Sequence, residues 1–145
     1  MAPGDIQNRY IELSQAGTLD GSAMTLSVAG SGSTALTTDG INGLQVTVNQ
    51  CSVTWSNVGA CAGTNTPVLT QTSALILAGA RPLSLATGSY AASTTPLHLQ
   101  IVLTLPTGSE VVTNGNLQTG SVQNLTTGLT WTFSEAPRVA PTPNA

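Results

Sequence analysis

The segment Leu97-His98-Leu99-Gln100-Ile101-Val102-Leu103-Thr104-Leu105 carries an apolar side chain at every second position and stops at Pro106. A period of two puts Leu97, Leu99, Ile101, Leu103 and Leu105 on one face of a β-strand, and proline closes the run because it cannot donate to a sheet ladder. The pattern recurs in Leu44-Gln45-Val46-Thr47-Val48-Asn49, with Leu44, Val46 and Val48 inward. That run continues through Cys51, Val53 and Trp55 after a change of parity at Asn49-Gln50, which predicts a bulge there. Leu129-Thr130-Trp131-Thr132-Phe133-Ser134 alternates without a break, and its Trp131 and Phe133 are expected to supply much of the large buried area in a chain only 3% aromatic.

Weaker alternation predicts further strands at 6–13, 23–28, 68–71, 74–78 and 111–112, separated by turn residues at Gly17, Gly21, Asp39-Gly40, Asn42-Gly43 and Asn114-Gly115. About eight short strands, with no helical stripe to compete, predict an all-β fold: a two-sheet antiparallel sandwich, jelly-roll-like. A length of 145 residues with 40% apolar content supports one core, so residues 1–135 are expected to form a single domain. Residues 136–145, rich in proline and small side chains, read as a flexible tail.

Charged residues make up only 6% of the chain, against roughly 25% in ordinary globular proteins. Arg9, Arg81 and Arg138 are the cations, and lysine is absent. The surface is therefore carried by Ser, Thr, Asn, Gln and Gly, which suit strands and turns better than exposed helices. With a net charge of −3 and no basic cluster, nothing neutralises phosphates, so nucleic acid is not an expected partner. No apolar run reaches the about 18 residues of a membrane-spanning helix, the longest being broken by Arg81 and Pro82. The first residues have neither a basic nor an apolar export region, so any export signal is expected to lie outside the sequence.

Cys51 and Cys61, ten positions apart with Asn57 and Gly59 between them, read as a disulfide. Closing such a loop stabilises a fold by roughly 2.5–3 kcal/mol in the chain-entropy account and implies an oxidising compartment. The competing reading is two buried free thiols. No metal or cofactor is expected, because two cysteines and the lone His98 do not make a zinc site. His98, on the polar face of the best strand and without a nucleophile motif, reads as a surface residue. Asp20 and Asp39 both precede glycine, which favours turn chemistry over calcium ligation. Asn124-Leu125-Thr126 fits a glycosylation sequon too short to carry weight. The chain has no metallopeptidase, P-loop or nucleophile-elbow motif and reads as non-catalytic.

Taken in order, several segments resemble the TasA/camelysin-like exported proteins. Pro3-Gly4-Asp5, then Arg9 to Leu13, then Gly17-Thr18-Leu19-Asp20 are similar to the entry motif of that group. Gly43 to Val46, Cys51 to Trp55, Cys61 to Thr64, Leu97 to Pro106, Gly120 to Val122 and Leu129 to Ala136 resemble its actinobacterial members. The resemblance implies a secreted jelly-roll subunit of biofilm-matrix or cell-surface fibres, in which one subunit gives an N-terminal strand to the next. In such relatives the donor strand precedes the Pro-Gly-Asp motif, so it is expected upstream of this sequence. Without lysine no isopeptide link can form, so any polymer is expected to be non-covalent.

Camelysin relatives have been labelled metallopeptidases, but one histidine offers no zinc site with a general base. The stronger alternative is a secreted module binding polysaccharide or a protein through exposed aromatics, for which Tyr10, Trp55 and Tyr90 are the candidates. Their competing role is core packing, for Trp55 against the disulfide. A row of exposed aromatics would favour binding, and an uncovered apolar groove along a sheet edge would favour the fibre.

Overall fold

A computed structural model describes residues 1–14, 21–32, 34–73, 81–82, 96–109, 112–113, 115–117 and 121–137. Among these residues the chain forms strands β1 (Ile6–Leu13), β2 (Gly21–Gly30), β3 (Gln45–Cys51), β4 (Asn65–Ser73), β5 (Arg81–Pro82), β6 (Leu97–Thr104), β7 (Val112–Thr113), β8 (Asn116–Leu117) and β9 (Leu129–Pro137). A four-residue helical turn, α1 (Ala35–Thr38), and a 3₁₀ turn at Thr107–Ser109 complete the regular structure. The fold is all-β. One sheet has the order β1-β6-β3-β4 and the other β5-β2-β9, with β7 and β8 forming a small hairpin around Gly115. All pairings are antiparallel. Successive strands β1, β2 and β3 alternate between the sheets, a connectivity compatible with a jelly roll.

The alternating faces meet as their period requires. Leu97, Leu99 and Ile101 of β6, Val46 and Val48 of β3, and Met24, Leu26 and Val28 of β2 form the core between the sheets. Because β6 lies between β1 and β3, its Leu97 and Leu99 are buried, while Leu103 near its far end stays half-buried. Trp131 and Phe133 of β9 pack against this aliphatic cluster but stay half-buried, on a strand that among the described residues pairs only with β2. The bulk of the core is therefore aliphatic, and the aromatic share expected from β9 is smaller.

Several boundaries differ from the sequence reading. No bulge interrupts β3, which pairs continuously with β6 from Gln45↔Thr104 to Cys51↔His98. The irregularities lie in the β3–β4 ladder, between Val46 and Val48 and between Val48 and Asn49, where β4 supplies the extra residues. The strand stops at Cys51, and Val53 and Trp55 belong to the loop that follows. Gly21 begins β2 rather than forming a turn, and β9 runs on to Pro137, opposite Gly21. An edge strand tolerates proline because one side of its backbone needs no ladder partner. The predicted strand at 74–78, the turn at Gly17 and the tail beyond Pro137 fall outside the described residues.

Between α1 and β3 the chain makes a tight turn organised by Asp39. Its Oδ1 accepts hydrogen bonds from the backbone N–H of Ile41 at 2.8 Å and of Asn42 at 2.9 Å, which is turn chemistry. These donors, Asn42 first and Ile41 second, hold the Asp39 carboxyl below its ordinary value. A depressed carboxyl contributes stability above its unfolded pKa and loses it as pH falls through the folded one. Asp39→Asn is therefore expected to be less stable than the parent at neutral pH, with the gap closing in acid as the parent carboxyl protonates. Urea denaturation of both proteins across that range checks it, and a gap independent of pH contradicts it.

Candidate functional site

Two regions depart from a plain sandwich: an open lateral side, and an outer face covered by a disulfide loop. The lateral side follows from the strand order. Among the described residues β1 ladders only with β6, and β9 only with β2, so within that set each stands at the end of its sheet. The inward register of β1 runs through Gln7 opposite Leu103, Arg9 opposite Ile101, Ile11 opposite Leu99 and Leu13 opposite Leu97. Ile11 and Leu13 pack on the core, whereas Gln7 and Arg9 are exposed. At that end a groove of about 770 Å³ is bounded by β1, by the segment 122–127 and by the start of β9, with Leu36, Leu44, Leu103 and Leu105 also on its lining.

Arg9 also lines this groove. Its Nη1 donates to the neighbouring Asn8 carbonyl at 3.1 Å, and no acidic side chain among the described residues pairs with it. The rim includes Met1, Ala2 and Pro3, set by the Pro-Gly-Asp segment. There the Asp5 N–H donates to the Ala2 carbonyl at 2.9 Å, and Asp5 Oδ2 accepts from the Ala2 N–H at 2.6 Å. Pro3 supplies the fixed φ of the second turn position and Gly4, at φ +89°, the left-handed third. The turn is tied to the end of β6 by the Gly4 N–H to the Leu105 carbonyl at 2.7 Å. Pro3, Gly4 and Asp5 thus form a structural turn at the groove's mouth. Gly17, Thr18, Leu19 and Asp20 lie outside the described residues.

The outer face of the larger sheet is covered where the sequence predicts solvent. Cys51 and Cys61 form a disulfide with their Cα atoms 5.7 Å apart, closing a loop over β6. Trp55 in that loop is only 8% exposed, donates its Nε1–H to the His98 carbonyl at 3.1 Å and lies against Tyr10 with ring centroids 6.1 Å apart. Gly59, at φ +81°, faces the Tyr10 hydroxyl so closely that an added Cβ would lie 2.5 Å from it. His98 is consequently 8% exposed rather than a surface residue, and its Nδ1 pairs with Glu12 at 3.1 Å. Gln100, beside it, accepts from Asn49 Nδ2 at 3.1 Å.

Tyr10 and Trp55 therefore pack on each other, and Tyr90 lies outside the described residues. No cluster of three metal-ligating side chains occurs among the described residues, and no described helix is long and apolar enough to cross a membrane. The groove was missed by pattern reading, although a signal existed. The inward positions of β1 read Gln, Arg, Ile, Leu, so half of that face is too polar for a closed core. By fold the chain is an antiparallel β-sandwich with one disulfide. No protein-family model and no curated protein matches it.

Proposed function

We propose that this chain is a non-catalytic, secreted structural subunit that assembles into extracellular fibres by accepting an extended strand of a second copy between β1 and β9. The observation that carries this reading is that, among the described residues, β1 and β9 each end a sheet beside a groove whose lining includes Leu36, Leu44, Leu103, Leu129 and Trp131. A strand that ends its sheet offers backbone donors and acceptors to an incoming strand, and the leucines beneath can bury its alternate side chains. The disulfide supports an oxidising destination. The resemblance of the ordered motifs to TasA/camelysin-like proteins points the same way. The polysaccharide-binding alternative is less well supported, because Trp55 is buried against Tyr10 instead of standing in an exposed aromatic row.

Negative-stain electron microscopy of the protein secreted by its native source, beside the 145-residue chain, tests the proposal. Filaments are expected from the secreted protein, and a second copy's strand should protect the backbone amides of β1 or β9 from hydrogen exchange. If neither sample assembles at high concentration, the fibre reading fails.

A further inference from the structure

We propose that residues 52–60 are a redox-released strap, which an external dithiol frees by opening the Cys51–Cys61 disulfide at Cys61 while the sandwich beneath stays folded. Such a release is independent of the fibre reading above. The strap forms a layer of its own. It lies on the outer face of β6 beside His98 and Gln100, whereas the core cluster lies on the inner face and includes no residue from 52–64. Its tip is shaped by its own hydrogen bonds. The Ser56 N–H donates to the Ala60 carbonyl at 3.0 Å, the Gly59 N–H to the Ser56 carbonyl at 2.9 Å, and the Ala60 N–H to Ser56 Oγ at 2.9 Å. It carries no charged side chain. Trp55 ties it to the sheet through the His98 carbonyl and the Tyr10 ring, and the disulfide closes its base. Segments held by few buried contacts open without the rest of a fold, and here the disulfide limits how far the opening can go.

The two sulfurs differ in access. Cys51, the last residue of β3, is 1% exposed, and Cys61 is half-buried in the loop. Thiol–disulfide exchange needs an approach to the sulfur under attack, so the reaction starts at Cys61. A thiolate of the dithiol bonds to Cys61 Sγ, the S–S bond breaks, and Cys51 Sγ leaves as a thiolate that takes up a proton. The reductant's second thiol then displaces Cys61 from the mixed disulfide. The protein gains two electrons and two protons, and the dithiol departs as its cyclic disulfide. Once freed, the strap uncovers His98, the chain's only histidine, with Gln100 on the same face. An oxidising compartment keeps the strap shut, so its opening reports contact with a reductant.

The test compares the oxidised 145-residue chain with the same protein reduced by dithiothreitol and desalted under nitrogen. Diethyl pyrocarbonate acylation of His98 reads the strap, and hydrogen exchange at the Leu99 and Ile101 amides of β6 reads the sandwich. Reduction is expected to speed His98 acylation roughly hundredfold, the restraint of a short disulfide loop expressed as a rate ratio. In the reduced protein the opening fraction at His98 should exceed that at the β6 amides by roughly tenfold or more. Equal fractions would mean that strap and sandwich open as one unit, and an unchanged acylation rate that the disulfide restrains nothing; either result overturns the strap. Brief treatment with glutathione, followed by alkylation, should place the glutathione adduct on Cys61 and the alkyl group on Cys51 by peptide mass. The reverse placement overturns Cys61 as the point of attack.

Discussion

Replacing Trp55 with alanine is expected to lower the unfolding free energy by about 3–5 kcal/mol, the range for emptying a buried large aromatic site. That effect is unusual for a residue in a loop. Trp55 owes it to three contacts made at once: its ring covers β6, its Nε1–H reaches the His98 carbonyl, and it lies tilted against Tyr10. Alanine would expose His98 and Gln100, which are buried on what would otherwise be the wet face of the sheet. Trp55→Phe keeps most of the apolar cover and loses the hydrogen bond, so its loss should be only about 1–2 kcal/mol. The disulfide holds the same loop, and its removal by Cys51→Ala with Cys61→Ala should cost roughly 2.5–3 kcal/mol. Since both changes loosen one segment, their combination should fall short of the sum. Urea denaturation of the single and combined variants measures this, and a Trp55→Ala loss below about 1 kcal/mol would contradict the packing described.

Gly43→Ala is the second large effect, expected at about 3 kcal/mol, the upper part of the overpacking range. A Cβ at Gly43 would run into the Asp39 carbonyl oxygen and would lie 2.9 Å from that of Leu36 and 3.0 Å from that of Ala35. These are backbone atoms and cannot swing aside as the end of a side chain would. Relief requires unwinding α1 or shifting the start of β3, which is held there by the Leu44 N–H to the Leu36 carbonyl at 2.8 Å. Leu36 and Leu44 both line the groove, so the same change should blunt strand acceptance in whatever fraction remains folded. Gly40→Ala is the control three positions away. Nothing lies within 4 Å of its added Cβ, and it should stay within about 0.5 kcal/mol of the parent. Equal thermal midpoints for the two variants would refute the steric account.

Strands were readable in this chain wherever alternation was long and apolar, as in β6 and β9, because a period of two translates directly into a buried face. What alternation does not specify is whether the opposite face stays wet. His98 and Gln100 have the spacing of solvent-facing residues, and they are buried because a loop held by Cys51 and Cys61 folds over them. The parity change at Asn49-Gln50 reflects the turning of Cys51 toward that covered face and not a bulge in the β3–β6 ladder. The groove was less accessible still. Its existence depends on which strands end each sheet, and that is decided by pairings between segments far apart in the chain, such as β1 with β6. In the sequence Arg9 is part of a motif, and its inward register follows from its pairing opposite Ile101.

Those distant pairings also govern the order in which the protein can acquire structure as it is made. Ile6 must wait for Thr104, and Gly30 for Leu129, before either finds its partner. During N-to-C synthesis or translocation β1 therefore waits for β6, and most of β2 for β9, and sheets built on such remote contacts close slowly. The β3–β4 and β7–β8 pairs are local exceptions, and the first is joined by residues 52–64, which carry most of the disulfide loop. Oxidation of Cys51 and Cys61 can consequently occur within a partly emerged chain, fixing one hairpin early while the edges destined to flank the groove are still waiting for their sheets.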